Sequence, residues 1–363
     1  MRRIWKLAKV TLGVLLLGVA AAIGYVFATA ASPPEGAEQV IADTIAAPLP
    51  ELVRGESGHA SSDGLSIWFE SLKPGRQARG TVLLIIGISN DAFGWPRSLI
   101  DALLGEGYRV VRFDNRGTGL SDWDTSGTGS HPYSLLDMAS DGVAVLDALG
   151  IERAHIVGAS MGGMIAQEFA AAFPDRTASL TAIMSSGHIE DPALPGMSRR
   201  TTKALVKTKM RYGLFGAETN RVRLHLANRM ILMGGADYEL DVREVAESVL
   251  YNLRKRRGYN VRATIEHQTA VRLSGSRYAA LADLRVPTLI IHGKDDPLVP
   301  IAHGRRLVDA IPGASGLWLD NMGHDIPEHL AGTLAREMVR HFVRSKPGAA
   351  LSGLAPGALG DEL

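Results

Sequence analysis

The sequence predicts an α/β protein in which a mostly parallel, twisted sheet is flanked by helices and interrupted by a helical insert. Short apolar runs that end in turn residues, such as 81–87, 154–160 and 287–293, are typical of strands buried on both faces of a parallel sheet. Helical patterns such as 133–150 separate most of these runs, and this alternation indicates parallel strands joined by crossover helices. A chain of 363 residues that is 46% hydrophobic can bury one large core.

Residues 1–31 predict a membrane anchor or a signal peptide. Four basic residues in the first nine precede an uncharged stretch over 10–31. This stretch exceeds the about 7–15 residues of a secretory apolar region and reaches the about 20 of a spanning helix. It therefore favours a single-pass membrane protein whose main domain lies on the extracytoplasmic side. The small residues Ala28, Thr29 and Ala30 also fit a cleavage site, which would instead give a secreted or periplasmic protein.

Changes in composition divide the remaining chain. Proline and glycine in 32–56 predict a linker, and the tail 346–363, rich in Gly, Ala, Leu and Pro, is predicted to be disordered. Alternating strands and helices assign 57–187 and 281–345 to the core. Residues 188–280 lack that alternation, are helix-like and are rich in Arg and Lys, so they predict a helical cap inserted between two strands.

Charge and cysteine content exclude several classes of protein. The formal net charge of +1 gives no reason to expect nucleic acid as a partner. The absence of cysteine excludes disulfides, a cysteine nucleophile and thiolate metal sites. No two histidines show the i, i+4 spacing with a glutamate that marks zinc hydrolases, so we do not expect a metal site. The serine chemistry described below needs no metal or organic cofactor.

Ser160 is the candidate nucleophile. It lies in the pentapeptide Gly-Ala-Ser-Met-Gly, where the apolar run 154–159 passes into a helical pattern. The Gly-x-Ser-x-Gly nucleophile elbow requires this strand–turn–helix setting, and Gly158 and Gly162 keep side chains out of its crowded positions. The following helix N-terminus offers backbone N–H groups to a developing anion, so the Met161 N–H is a candidate oxyanion donor.

A serine nucleophile needs a base, and the base needs an orienting acid. In elbow enzymes the acid and then the histidine follow the serine along the chain. Asp296 comes just after the apolar run 287–293, and His324 comes just after another apolar run. Ser160, Asp296 and His324 therefore form the candidate triad. The competing histidines nearby are His292, His303 and His329.

Two adjacent aspartates compete for the role of the acid. Consecutive residues of an extended segment point to opposite sides, so at most one of Asp295 and Asp296 faces His324. Pro297 restricts the residue before it to an extended backbone, which favours Asp296. We expect Asp295 to be a solvated turn residue or a local hydrogen-bond acceptor.

The segment 113–122, FDNRGTGLSD, allows two interpretations. Asp114 and Arg116 have the side chains of a catalytic pair, and the glycines that follow have the composition of a phosphate-binding loop. The alternative is a charge-paired turn after a strand, and we favour this structural interpretation.

Together these features resemble the α/β-hydrolase-fold serine hydrolases over roughly residues 55–345. The stretch VPTLIIHGKDDPLVPIAHGRRLVDAIPGA, with MGHDIP further on, is most similar to the aclacinomycin methylesterase-like subgroup. The resemblance implies an α/β-hydrolase fold with an inserted helical cap. It also implies that the acid stands three residues after Gly293, at Asp296.

The same resemblance implies a second oxyanion donor in the loop after the run 81–87. Members of the family usually carry His-Gly-x there and use the backbone N–H of the third residue. This sequence carries Ile86, Gly87 and Ile88, so the matching donor is the Ile88 N–H.

These residues predict a serine hydrolase that cleaves a carboxylic ester through an acyl-enzyme intermediate. Its expected partners are a small-molecule or lipid-like ester and, through the N-terminal segment, a membrane. Other functions for the same triad stay open: a cofactor-free haloperoxidase or perhydrolase, a thioesterase and an acyltransferase. A catalytically inert hydrolase-fold binding module is the alternative from a different class.

Overall fold

The computed structural model describes residues 5, 11, 15, 17–18, 21, 24–129, 131–213, 216–234 and 240–345. Over these ranges an eight-stranded sheet has the order β1-β2-β4-β3-β5-β6-β7-β8. β1 and β2 pair antiparallel, as do β2 and β4, and all the other neighbouring strands pair parallel. The strands are β1 (Glu56–Ser62), β2 (Leu65–Leu72), β3 (Thr81–Ile85), β4 (Arg109–Phe113), β5 (Ala154–Ala159), β6 (Thr177–Ile183), β7 (Thr288–Gly293) and β8 (Ser315–Leu319).

Helices cover both faces of the sheet and form the insert. They are α1 (Ala37–Ala46), α2 (Arg97–Gly105), α3 (Leu135–Ala148), α4 (Met161–Ala172), α5 (Arg199–Tyr212), α6 (Glu218–Leu232), α7 (Val242–Lys255), α8 (Val261–Ser274), α9 (Tyr278–Ala282), α10 (Ala302–Ala310) and α11 (Glu328–Arg344). Helices α5 to α9 lie between β6 and β7. The mostly parallel, helix-flanked sheet predicted from the sequence is confirmed.

Alternate side chains of the central strands build two separate cores. Leu83 of β3 and Ile156 of β5 face α3 and α4 in one apolar cluster. Val82 and Leu84 of β3 face α2 and α11 in the other. Because both faces are covered, every residue of β5 is buried. Burial of an aliphatic side chain of this kind stabilises the fold by about 1.5–3 kcal/mol. The central strands therefore hold their carboxyl ends rigidly, where the candidate residues lie.

The predicted linker 32–56 contains a helix. Ile41 of α1 is fully buried in a cluster with Val222 of α6 and Val249 of α7. The segment therefore packs against the insert, because its apolar stripe finds a partner that is distant in the chain.

The predicted single-pass anchor and membrane location are wrong. Among the residues that the structure describes, no helix has both the length and the apolar character needed to cross a bilayer. The end of the predicted span contacts charged side chains instead: Lys207 Nζ of α5 donates to Thr29 Oγ1 at 2.8 Å and lies 4.3 Å from the Tyr25 ring. Much of 1–31, and the whole predicted tail 346–363, lie outside the described residues.

Candidate active site

Ser160 occupies a strained turn between β5 and α4. Its φ of +56° and ψ of −121° place a non-glycine residue in the region that favours glycine, at a cost of about 1–3 kcal/mol. A Cβ at Gly158 would collide with the carbonyl oxygen of Gly162, and one at Gly162 with the carbonyl oxygen of Ile85. Both glycines are therefore required by the close approach of backbone segments. The turn presents the Ser160 side chain at the carboxyl end of the sheet.

The structure brings Ser160, His324 and Asp296 together. His324 Nε2 lies 2.9 Å from Ser160 Oγ, and His324 Nδ1 lies 2.7 Å from Asp296 Oδ2. A carboxylate only accepts hydrogen bonds, so Nδ1 carries the proton and donates to Asp296. Nε2 of the neutral ring then accepts from the Ser160 hydroxyl. This arrangement can remove the serine proton when Ser160 attacks an electrophile.

Asp296 is held and kept ionised by its surroundings. Its Oδ1 accepts backbone N–H bonds from Leu298 at 2.9 Å and Val299 at 2.8 Å. Burial acts to raise the pKa of Asp296, but the electrostatic interaction with His324 and hydrogen bonds from His292 and His324 outweigh it and lower this pKa to about 2. The carboxylate is thus charged at neutral pH.

The adjacent aspartate has different surroundings. Asp295 is exposed, and its carboxylate accepts from the Asn321 backbone N–H at 3.1 Å. The structure therefore places Asp296, and not Asp295, against His324. The two side chains are separated by their partners: Asp295 lies in a turn and binds Asn321, whereas Asp296 binds the backbone of Leu298 and Val299.

The competing histidines have other contacts. His292 Nε2 lies 2.7 Å from the Val299 carbonyl oxygen and 3.4 Å from Asp296 Oδ2, so it supports the acid. His303 Nδ1 lies 2.8 Å from Ser186 Oγ in the core. His329 is exposed in the first turn of α11.

Both candidate oxyanion donors adjoin the nucleophile. Met161 follows Ser160 directly and begins α4, so its N–H is at the positive end of that helix. The loop that contains Ile88 passes close to Ser160, because a Cβ built on Gly87 would lie 3.1 Å from Ser160 Cβ. Ile86 stands at the position where the usual loop pattern has histidine, and its side chain is buried in the core.

The His324 loop is bound to the insert by backbone hydrogen bonds that the sequence does not reveal. The Gly323 N–H donates to the Met233 carbonyl oxygen at 2.8 Å, and the His324 N–H donates to the Leu232 carbonyl oxygen at 2.6 Å. A Cβ at Gly323 would collide with the Leu232 oxygen. No residue pattern marks these contacts, because they use main-chain atoms.

The charged groups of the turn 113–122 are engaged elsewhere. The Arg116 guanidinium donates to both oxygens of Asp141 at 2.7 Å, and both side chains are fully buried. Asp114 accepts the Ala92 backbone N–H at 2.9 Å and forms an ion pair with Arg256. These contacts agree with the structural interpretation of this turn.

An acidic cavity lies beside α2, α7 and α11. Its volume is about 460 Å³, and Trp95, Arg97, Glu244 and Glu328 are among its lining residues. A hydrogen bond with Glu244, burial and the charge of Glu244 together raise the pKa of Glu328 to about 7. None of the three candidate triad residues lines this cavity.

Comparisons with known proteins identify the family of this chain. Residues 80–328 match the family described as alpha/beta hydrolase fold. The chain is 29% identical to rhodomycin D methylesterase DauP of Streptomyces sp. (strain C5) and 30% identical to rhodomycin D methylesterase DnrP of Streptomyces peucetius. Each match spans 295 residues, which are 77% of this chain and 96% of the relative.

A solved structure shows the same fold. The esterase EaEST from Exiguobacterium antarcticum superposes with a TM-score of 0.63 at 22% identity, over 80% of this chain and 99% of that one. The resemblance inferred from the sequence is confirmed by these matches, which cover the core and the insert. The chain belongs to the α/β-hydrolase-fold family, and the relatives named here are hydrolytic enzymes.

Proposed function

We propose that the protein is a serine hydrolase that cleaves a carboxylic ester through Ser160, His324 and Asp296. The observation that carries this proposal is the hydrogen-bonded chain from Ser160 Oγ through both ring nitrogens of His324 to Asp296. A nucleophile, a base and an orienting carboxylate in this order are what acyl transfer to a serine requires.

The reaction begins when Ser160 Oγ attacks the ester carbonyl carbon and His324 Nε2 takes the hydroxyl proton. The N–H groups of Ile88 and Met161 stabilise the resulting oxyanion. The C–O bond to the alcohol then breaks, and His324 returns its proton to the leaving oxygen. Water attacks the acyl-enzyme with His324 again as base, which releases the acid and restores Ser160. Asp296 stays ionised and stabilises the imidazolium in both halves.

The relatives narrow the substrate class. DauP and DnrP are named for methyl ester cleavage on rhodomycin D, a small organic molecule. We therefore expect a small-molecule carboxylic ester, with a lipid-like ester as the other member of the class. Helices α5 to α9 serve as a cap in this proposal, since α6 binds the His324 loop directly. The core then consists of 57–187 and 281–345, and the cap of 188–280.

A covalent probe tests the nucleophile. A fluorophosphonate should label the wild-type protein and hydrolysis of p-nitrophenyl esters should be measurable, whereas Ser160→Ala should show neither. Ser186→Ala is the matched control, because Ser186 Oγ also lies within hydrogen-bond distance of a histidine, 2.8 Å from His303 Nδ1. Equal labelling of folded Ser160→Ala, or loss of labelling only in Ser186→Ala, would refute the assignment.

A further inference from the structure

His267 joins the cap to the loop beside the nucleophile. This residue of α8 is fully buried. Its Nε2 lies 2.9 Å from the Arg116 carbonyl oxygen, and its Nδ1 lies 3.2 Å from the Ser89 backbone nitrogen. Since a carbonyl only accepts and an N–H only donates, Nε2 carries the proton and Nδ1 accepts from Ser89. Burial lowers the pKa of His267 to about 4, so the ring holds this neutral form at neutral pH.

Ser89 is the residue that His267 restrains. Its φ is +62°, which is unfavourable for a side chain other than glycine. Its hydroxyl donates to Thr264 Oγ1 at 2.8 Å, one turn before His267 on α8. Two cap side chains therefore bind the backbone and the side chain of Ser89. Together they hold Ser89 in this left-handed conformation.

The helix that carries these two side chains is itself seated on the core. Asn260 Nδ2 donates to the Gly117 carbonyl oxygen at 3.0 Å. A Cβ at Gly117 would lie 3.0 Å from the Ala263 Cβ, so the helix and the turn are in close contact. His267 therefore acts from a fixed support, as a restraint on the loop requires.

We propose that His267 is a positioning residue for the oxyanion loop. The step rests on the proposed function, because it assigns the Ile88 N–H to the oxyanion. The peptide between Ile88 and Ser89 contains the N–H that His267 accepts, so this bond sets the orientation of the backbone next to the donor. A donor misplaced by a fraction of an ångström loses much of its effect on a transition state. The cap thus supplies a support for this loop, which carries Ile86 in place of the usual histidine.

Two substitutions of His267 separate its two hydrogen bonds. His267→Asn places an amide oxygen near the position of Nδ1 and keeps an acceptor for Ser89. His267→Gln reaches the position of Nε2, where its amide can donate to the Arg116 oxygen, but leaves the Ser89 N–H unpaired. Each variant loses one hydrogen bond, so a purely structural role predicts similar effects of both.

The expected result is a difference in kcat. In the hydrolysis of a p-nitrophenyl ester, His267→Gln should lower kcat about ten- to a hundredfold with KM within about threefold, because the oxyanion exists only beyond the ground state. His267→Asn should keep a kcat close to that of wild type. Equal losses in both folded variants, or a wild-type kcat in His267→Gln, would overturn the proposal.

A second measurement does not depend on activity. Amide hydrogen exchange of a peptide covering 86–90 should be faster in His267→Gln than in wild type and close to wild type in His267→Asn. If the wild type fails to hydrolyse esters, the proposed function fails, but this exchange pattern still tests the restraint.

Where neither His267 variant folds, Thr264→Val removes the other bond to Ser89 and should also lower kcat and speed exchange at 86–90. Unchanged exchange and kcat in Thr264→Val would contradict the restraint.

Discussion

Replacing Asp296 by asparagine should prevent His324 from acting as a base, although His324 itself is unchanged. Asp296 Oδ1 accepts two backbone N–H bonds, so the oxygen of the new amide must stay at that position. The amide NH₂ then points at His324 Nδ1, which must become an acceptor. The imidazole proton moves to Nε2, which faces Ser160 Oγ at 2.9 Å and can no longer take the serine proton.

The size of the effect follows from this change of tautomer. The corresponding substitution in a serine protease lowers turnover by roughly 10⁴. We expect a loss of roughly 10³–10⁴ in kcat here, or about 4–5.5 kcal/mol of activation free energy. Asp295→Asn is the matched control, because Asp295 is exposed and its single backbone N–H bond suits an amide oxygen equally well. Its kcat should stay within about tenfold of wild type.

Initial rates on a p-nitrophenyl ester and the rate of fluorophosphonate labelling measure the effect. Circular dichroism first establishes that both variants are folded. A folded Asp296→Asn that keeps more than a tenth of the wild-type kcat would refute the tautomer argument. A larger loss in Asp295→Asn than in Asp296→Asn would assign the acid to Asp295.

Three further predictions concern the turn at the nucleophile, the buried Arg116–Asp141 pair and the acidic cavity. Gly162→Ala should lower the free energy of unfolding in urea by more than about 3 kcal/mol, because its Cβ meets a β3 carbonyl oxygen; wild-type stability would contradict the close approach. Arg116→Met should cost about 3–5 kcal/mol in the same assay by leaving Asp141 buried and unpaired, and Asp141→Leu in the same chain should recover most of it. Contact with Glu244 raises the pKa of Glu328, so wild type loses stability as the pH rises from about 4.5 towards about 7. Glu328→Gln should therefore unfold at a higher temperature than wild type at pH 8 and at the same temperature near pH 4.5. If the difference in unfolding temperature were the same at both pH values, the titration of Glu328 would not be its cause.

The central strands were predictable because both of their faces are apolar. The runs predicted at 81–87 and 287–293 lie within two residues of β3 and β7. The apolar run LTAIMSS at 180–186 also predicts a strand, but β6 begins three residues earlier, at Thr177. Its first residues include the polar but fully buried Thr177 and Ser179, and Ser179 Oγ lies 2.8 Å from His155 Nδ1. A hydrophobic pattern cannot identify strand residues that are buried through hydrogen bonds.

Elements that depend on distant partners were missed. The sequence of β1, ESGHASS, is mostly polar, and it forms a strand because it pairs antiparallel with β2. The sequence predicts a linker where α1 forms, because the partner of its apolar face is the insert, which is distant in the chain. The apolar stretch 10–31 suggested lipid as its surroundings, but hydropathy does not reveal contacts such as that of Lys207 with Thr29.

The candidate site also contains residues that local sequence patterns predict and residues that they do not. Ser160, Asp296 and His324 were predicted from local glycine spacing and chain order, and the structure brings them together. The bond between His267 and Ser89 joins residues 178 positions apart, and no local pattern marks either of them. A single sequence contains no pattern that identifies residues supporting a site only through tertiary contacts.

The backbone bonds from Gly323 and His324 to the end of α6 constrain how this chain can diverge. Both acceptors are main-chain carbonyls, at Leu232 and Met233, so point substitutions there leave the bonds available. A residue inserted into or deleted from α6 would instead rotate these carbonyls by about 100° around the helix axis and displace His324. Descendants of this chain can therefore vary the amino acids of the insert widely while its length near residue 233 stays fixed. Libraries that alter substrate preference should substitute residues of the insert and leave the length of α6 unchanged.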